Sequence, residues 1–206
     1  MAVFTAAERR RAEEILQFWF GSVDPADASV GFEMRWFQKD PAFDREIHSR
    51  FHEDVDEACR GLRDHWCRTP VGLLATCILL DQFTRNLFRG SPRSWGTDPH
   101  TRALVKRALS EGLDRQIAPT QRTFVYLPLE HSEDVADHDR ALLLFEAMLA
   151  EAGPAQAPMV GMLLKYEHAH RDLIVRFGRY PHRNKVLGRK NTPEEDAYLA
   201  QPGAGF

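Results

Sequence analysis

The sequence predicts an all-α fold of antiparallel helix pairs, and three observations carry that expectation. Four dipeptides set a capping side chain directly before a proline suited to the first helical turn: Asp40-Pro41, Thr69-Pro70, Asp98-Pro99 and Thr192-Pro193. The long apolar patterns have helical period, and none alternates as a half-buried strand would. The first three of those starts also lie 29 residues apart, close to the length of a helix pair with its turns.

Taken in order, Thr5 and Glu8 have capping-box spacing and open a first helix. A connection over Val23 to Gly31 follows. After Asp40 the apolar residues Phe43, Ile47, Phe51, Val55, Ala58 and Leu62 form a one-sided stripe, so this helix covers a core with one face. After Thr69 the run Leu73 to Leu80 is apolar or small on every side, which predicts a central buried helix. Phe88 to Pro99 reads as a second connection, and Asp98 as the cap of a helix carrying Ala103 to Leu109. Ser132 is placed to cap Val135 to Leu149, and Met159 to Phe177 supplies another helix. Gly112, Gly153 and Gly178 are expected at helix C-termini. Thr192 and Glu195 repeat the capping box. At least six helices result, in one domain spanning residues 1–206.

Composition narrows the function. With 27 basic and 30 acidic residues the formal net charge is −3, so no global field draws in nucleic acid or an anionic membrane, and anion binding must be local. Cys59, Cys67 and Cys77 are odd in number, lack CxxC spacing and follow no secretory leader, so a cytoplasmic protein with reduced thiols is expected. No apolar run reaches the length of a membrane span.

Three polar segments are denser in chemistry than packing requires. In the first, Asp81 ends the buried run and Arg85 stands one turn later on the same face, an ion pair that can also aim Arg85 or Arg89 at a ligand, with Gln82 and Asn86 as amide donors. In the second, Glu130-His131-Ser132-Glu133-Asp134, capping explains the serine and the acids after it but not Glu130 or His131, whose charged form neighbouring carboxylates would favour. The third gathers Arg176, Arg179, Arg183 and Arg189 with His182 and Asn184 around Gly178, Pro181 and Gly188. Eight Lys and Arg between 165 and 190 face five carboxylates between 130 and 139, so the arginines either clamp that acidic segment or hold an anionic ligand. His48 and His52 share a helix face, but Ser49 stands where the zincin order needs glutamate, and no metal site is expected.

Together the segments Asp81 to Gly90, Pro128 to Asp134 and Arg176 to Arg189 resemble the bacterial DUF924 family, whose members carry DQFPRNxFRG, PFxHSED and RFGRFPHRNxxLGR in that order. The resemblance runs from Leu16-Gln17-Phe18-Trp19 to Glu195 and implies a tetratricopeptide-like superhelical bundle. Thr84 stands where the family pattern has proline, which softens the kink expected there.

The leading functional expectation is a polar cavity where the three segments meet, binding a small anionic ligand or an acidic peptide through Asp81, Arg85, Asn86, Arg89, Arg179, His182, Arg183 and Asn184. No cofactor, nucleic acid or membrane partner is expected, and nothing in the sequence speaks to oligomeric state. The competing expectation is a hydrolase or transferase in which His131 or His182 moves a proton, Glu133 or Asp81 orients it and arginines stabilise negative charge. A third is an interaction scaffold whose ion pairs are purely structural.

Overall fold

The computed structural model describes residues 3–205 and is all-helical, with no strand among them. Helix α1 (Ala6–Phe20) opens with the full Thr5/Glu8 capping box and ends where Gly21 turns left-handed. Asp40 caps α2 (Pro41–Cys59) by accepting from the amides of Ala42 and Phe43. Its stripe from Phe43 to Ala58 is buried as expected, whereas Leu62 lies beyond the helix and is exposed. Thr69 caps α3 (Pro70–Cys77), which continues through a wide π turn (Ile78–Phe83) into α4 (Thr84–Leu87).

Every residue from Val71 to Thr84 is buried, and this broken helix forms the centre of the molecule, packed against α1, α2, α5 and α6. The π turn frees the Leu80 carbonyl from its regular helical partner, and the hydroxyls of Thr84 and Thr97 both donate to it at 2.8 Å. A proline at 84 would contribute no hydroxyl to that oxygen.

Asp98 is not a cap. The backbone of Thr97 precedes α5 (Asp98–Ser110) without a side-chain capping bond, and Asp98 is buried within the first turn, where two arginines claim its carboxylate. The equal 29-residue spacing therefore joins segments of unequal build: a 19-residue helix, a helix broken by a π turn, and a helix that starts without a cap.

Helix α6 (Pro119–Glu130) gave no readable pattern in the sequence, because residues 120–130 are buried on all sides and Pro128 lies inside it. Its polar donors find partners: Gln121 donates to the Asp24 carbonyl, Arg122 to the Ile117 carbonyl and Tyr126 to Asp114. Asp134, rather than Ser132, caps α7 (Val135–Glu151), and Ser132 instead donates to Asp137 at 2.7 Å. Extended Ala152 ends α7, so Gly153 is not a left-handed stop. A short turn leads into α8 (Ala157–Phe177), which packs along α7 and ends at left-handed Gly178. After a single 3-10 turn (Pro181–Arg183), the short α9 (Pro193–Leu199) has the expected Thr192/Glu195 capping box.

One aromatic cluster fixes residues 32–37, between the Val23 to Gly31 connection and α2. Trp36 stacks on Trp19, meets Phe124 edge-on at 5.0 Å, and donates its indole N–H to the Trp19 carbonyl at 2.9 Å. The neighbouring Phe32, Met34 and Phe37 are thereby held beside α6 and α8. All three cysteines are free, and no helix is long and apolar enough among the described residues to cross a membrane.

Candidate functional site

A cavity of about 720 Å³ opens where the π turn, the end of α6, the middle of α8 and the 3-10 turn meet. Its wall includes Arg85, Asn86, Arg89, Glu130, His131, His170, His182 and Arg183, together with apolar residues of the 32–37 segment.

The charged floor is built on two buried aspartates. Asp81, 1% exposed, accepts from His131 Nδ1 at 2.8 Å and from Gln82 Nε2 at 2.6 Å, with Arg85 Nη1 at 3.3 Å. Burial alone would raise its pKa, but Arg85 and His131 outweigh burial and hold it below the usual carboxylate range. Asp98 accepts from Arg85 Nη2 at 3.2 Å and from Arg183 Nη1 at 3.4 Å. Two aspartates thus balance two arginines. The guanidinium of Arg183 is 6% exposed, lies over the Tyr180 ring at 4.5 Å, and has a buried Nε without a protein partner. Its hydrogen-bonding capacity is therefore underused.

The three segments expected to converge do meet, at the Asp81–His131 contact and through Glu133, which accepts from the Tyr180 amide at 2.8 Å. The individual roles divide. Arg189 forks onto Glu133 at 2.6 and 2.9 Å, and Arg171 pairs with Asp139, so part of the C-terminal basic set does clamp the acidic segment. Arg179 forks instead onto Glu195 at 2.7 and 2.8 Å, and Arg176 pairs with Glu194. Asn184 bonds Asn191. None of Arg179, Asn184 and Glu133 lines the cavity, because local partners in α9 and the C-terminal turn consume them. Arg89 and Asn86 reach the cavity while binding Asp44 of α2. Arg183 is left as the cavity-lining arginine whose buried Nε has no protein partner.

Burial favours the neutral form of the cavity histidines His131 and His182. His131 is shifted down by burial and then by Arg85, against the pull of Asp81, which reverses the expectation that nearby carboxylates favour its charged form. His182 is lowered to about 4 by burial and by Arg183, and its buried Nδ1 has no protein partner. With Asp81 holding Nδ1–H, the tautomer of His131 leaves Nε2 as a lone-pair acceptor.

Sequence reasoning missed the layer behind the floor. His138 Nε2 faces the Ser132 carbonyl at 2.9 Å, so it must carry the proton, and Nδ1 meets Glu167 Oε1 at 2.8 Å. Burial pushes Glu167 up to about 8 and lowers His138, so a protonated Glu167 donates to a neutral ring. Glu130, on the cavity wall and 5% exposed, is raised well above the ordinary range by burial and by Glu167. Glu167 and His138 lie 29 residues apart on α8 and α7, and no local pattern marks them as a pair.

A pH dependence follows from this layer. An unfolded glutamate releases its proton near 4.5, while folded Glu167 keeps it to about 8, so the folded state holds more protons between those values and loses stability as pH rises. Glu167→Gln keeps a donor for His138 and removes that loss. The melting temperature of the variant minus that of the parent is expected to increase from pH 5 to pH 8, and a flat difference would place the proton elsewhere.

No curated protein matches the chain. Among solved structures it is similar to a protein of unknown function, ATU0120 from Agrobacterium tumefaciens, with a TM-score of 0.78 and 37% identity over 94% of this chain and 98% of that one. The family model for bacterial proteins of unknown function, DUF924, matches residues 15–203, which include every residue of the floor just described, and the chain belongs to that family.

Proposed function

We propose that this protein binds a small anionic ligand in the cavity, with Arg183 as the receiving cation. The observation that carries the reading is a guanidinium buried on the wall of a large cavity with one long bond to Asp98 and an unpartnered Nε. A structural clamp would use its donors as Arg179 does, in a short bidentate pair. His182 stands beside Arg183, and although burial first and Arg183 second disfavour its charged form, a bound anion would favour proton uptake by this ring.

Native-state binding raises stability by RT ln(1 + [L]/Kd). Millimolar sulfate, phosphate or malonate is expected to raise the melting temperature beyond matched chloride, and Arg183→Met is expected to abolish the increment. That variant preserves much of the packing over Tyr180 but leaves Asp81 and Asp98 to share Arg85, so its melting temperature in chloride is itself expected to fall and the anion increment is read against its own chloride baseline. Equal melting curves in all four salts would rule the reading out.

The Asp81–His131 contact favours a second reading as an enzyme. A buried carboxylate orienting an imidazole whose other nitrogen is an acceptor on a cavity wall is the arrangement of a general base, with Arg85 beside it for developing negative charge. Asp81, not Glu133, is the orienting group in this arrangement. Small carboxylate esters and amides incubated with the protein should then show hydrolysis that His131→Asn removes while the anion-induced melting shift persists.

A further inference from the structure

The cavity is graded. Three of its polar groups, Arg183, Glu130 and Gln82, are nearly fully buried, with Arg85 half-buried and Arg89 at the surface bound to Asp44, whereas Met34, Phe37 and Tyr166 on the same wall are 59%, 48% and 51% exposed. Phe32 and Met162 lie between these extremes. The other large exposed apolar side chains of the described residues are Val and Leu scattered over the surface; the exposed Met, Phe and Tyr all gather at this one mouth. Scattered aliphatics need no explanation, but a cluster of wide, adaptable apolar side chains around an opening does. A bare inorganic anion would reach Arg183 and leave this rim in water, inside a volume typical of sites that take drug-sized molecules.

Packing accounts for only part of the rim. Trp36 anchors the segment by stacking on Trp19 and bonding its carbonyl, and Phe37 adds a stack on Phe124 at 6.2 Å, yet Met34 and Phe37 keep about half of their surface in the open. Phe37 stacks on Phe32 at 5.6 Å, which builds a flat apolar plate facing Tyr166 and Met162 across the cavity. The charge arrangement points the same way: Asp81 and Asp98 already offset Arg85 and Arg183, so a head group with a single negative charge at the unused donors of Arg183 is favoured over a polyanion.

We infer that the natural ligand class is an amphipathic monocarboxylic acid, its carboxylate on Arg183 and His182 and its unbranched or aromatic body lying on Phe32, Met34, Phe37 and Tyr166. This deepens the anion-binding reading and rests on it. Head and tail then contribute separately: the buried guanidinium sets orientation, and the apolar plate sets affinity by removing methylene surface from water.

The experiment is a calorimetric series on the full chain with acetate, butyrate, hexanoate and octanoate at equal ionic strength, alongside hexanamide and phenylacetate. Affinity is expected to rise by up to about fourfold per methylene while the tail is being buried, to be lost for hexanamide, and to show a negative heat-capacity change. Phe37→Ser and Met34→Gln, at half-exposed positions, should flatten the chain-length dependence from acetate to octanoate. If acetate and octanoate bind equally, the amphipathic class is overturned while the anion site stands. If hexanamide binds as well as hexanoate, the carboxylate head is overturned. If neither acetate nor sulfate nor any longer acid binds, this inference and the anion-binding reading fall together.

Discussion

Asp98→Ala is expected to lower the unfolding free energy by about 3 to 5 kcal/mol, the usual consequence of removing one partner from a buried charge set. Asp98 is 4% exposed and accepts from Arg85 at 3.2 Å and Arg183 at 3.4 Å, with Asp81 as the other carboxylate of the group. Without it two guanidiniums share one anion in a region shielded from water. The loss should be partly recovered by Arg183→Met in the same chain, since two charges of each sign then become one of each. Urea denaturation of the four chains of that double-mutant cycle measures the coupling. Additive effects would mean that Asp98 and Arg183 do not form one electrostatic unit, and the basis for an underused Arg183 would go with it.

Gly72→Ala should be comparably damaging for a steric reason. A Cβ at position 72 would lie 2.2 Å from the Trp66 carbonyl oxygen, a backbone atom that cannot swing aside. The first turn of α3 packs directly on the 3-10 segment Asp64–Arg68, and moving the two apart would disturb Trp66, which is fully buried. A loss of at least about 3 kcal/mol is expected, at the upper end of overpacking effects. Gly161→Ala in α8 is the control: its nearest neighbour is Leu149 Cδ1 at 4.0 Å, so the substitution should stabilise by roughly 0.5 to 1 kcal/mol through helix propensity alone. Thermal melts of both variants separate the two cases, and a neutral Gly72→Ala would show that the contact relaxes.

Much of the fold is legible because its signals are local. Thr5 with Glu8, Asp40 with Pro41, Thr69 with Pro70 and Thr192 with Glu195 satisfy amides within a few residues of themselves, so the caps read from the chain are the caps that form. The stripe from Phe43 to Ala58 is equally local, since a helix needs only one apolar face to declare itself. Helix α6 is the counter-example: buried all round, it has no contrast between faces, and its Gln121, Arg122 and Tyr126 are tolerated only because distant carbonyls and Asp114 receive them.

The site divides along the same line. The sequence by itself determined that three polar segments carry the unusual chemistry, that any anion binding would have to be local, and that the chain is built of helices. It could not assign partners. Asp98 reads as a cap because an aspartate before proline satisfies a nearby amide at little cost, yet in the folded chain the field of Arg85 and Arg183 claims it. Arg179 and Arg183 are equivalent in the sequence. Only tertiary structure gives the first a short fork onto Glu195 and the second a buried place on the cavity wall with donors to spare. Periodicity and capping act over one or two turns of chain, whereas charge pairing and desolvation depend on groups tens of residues apart, and these decide which arginine is structural and which can serve a ligand.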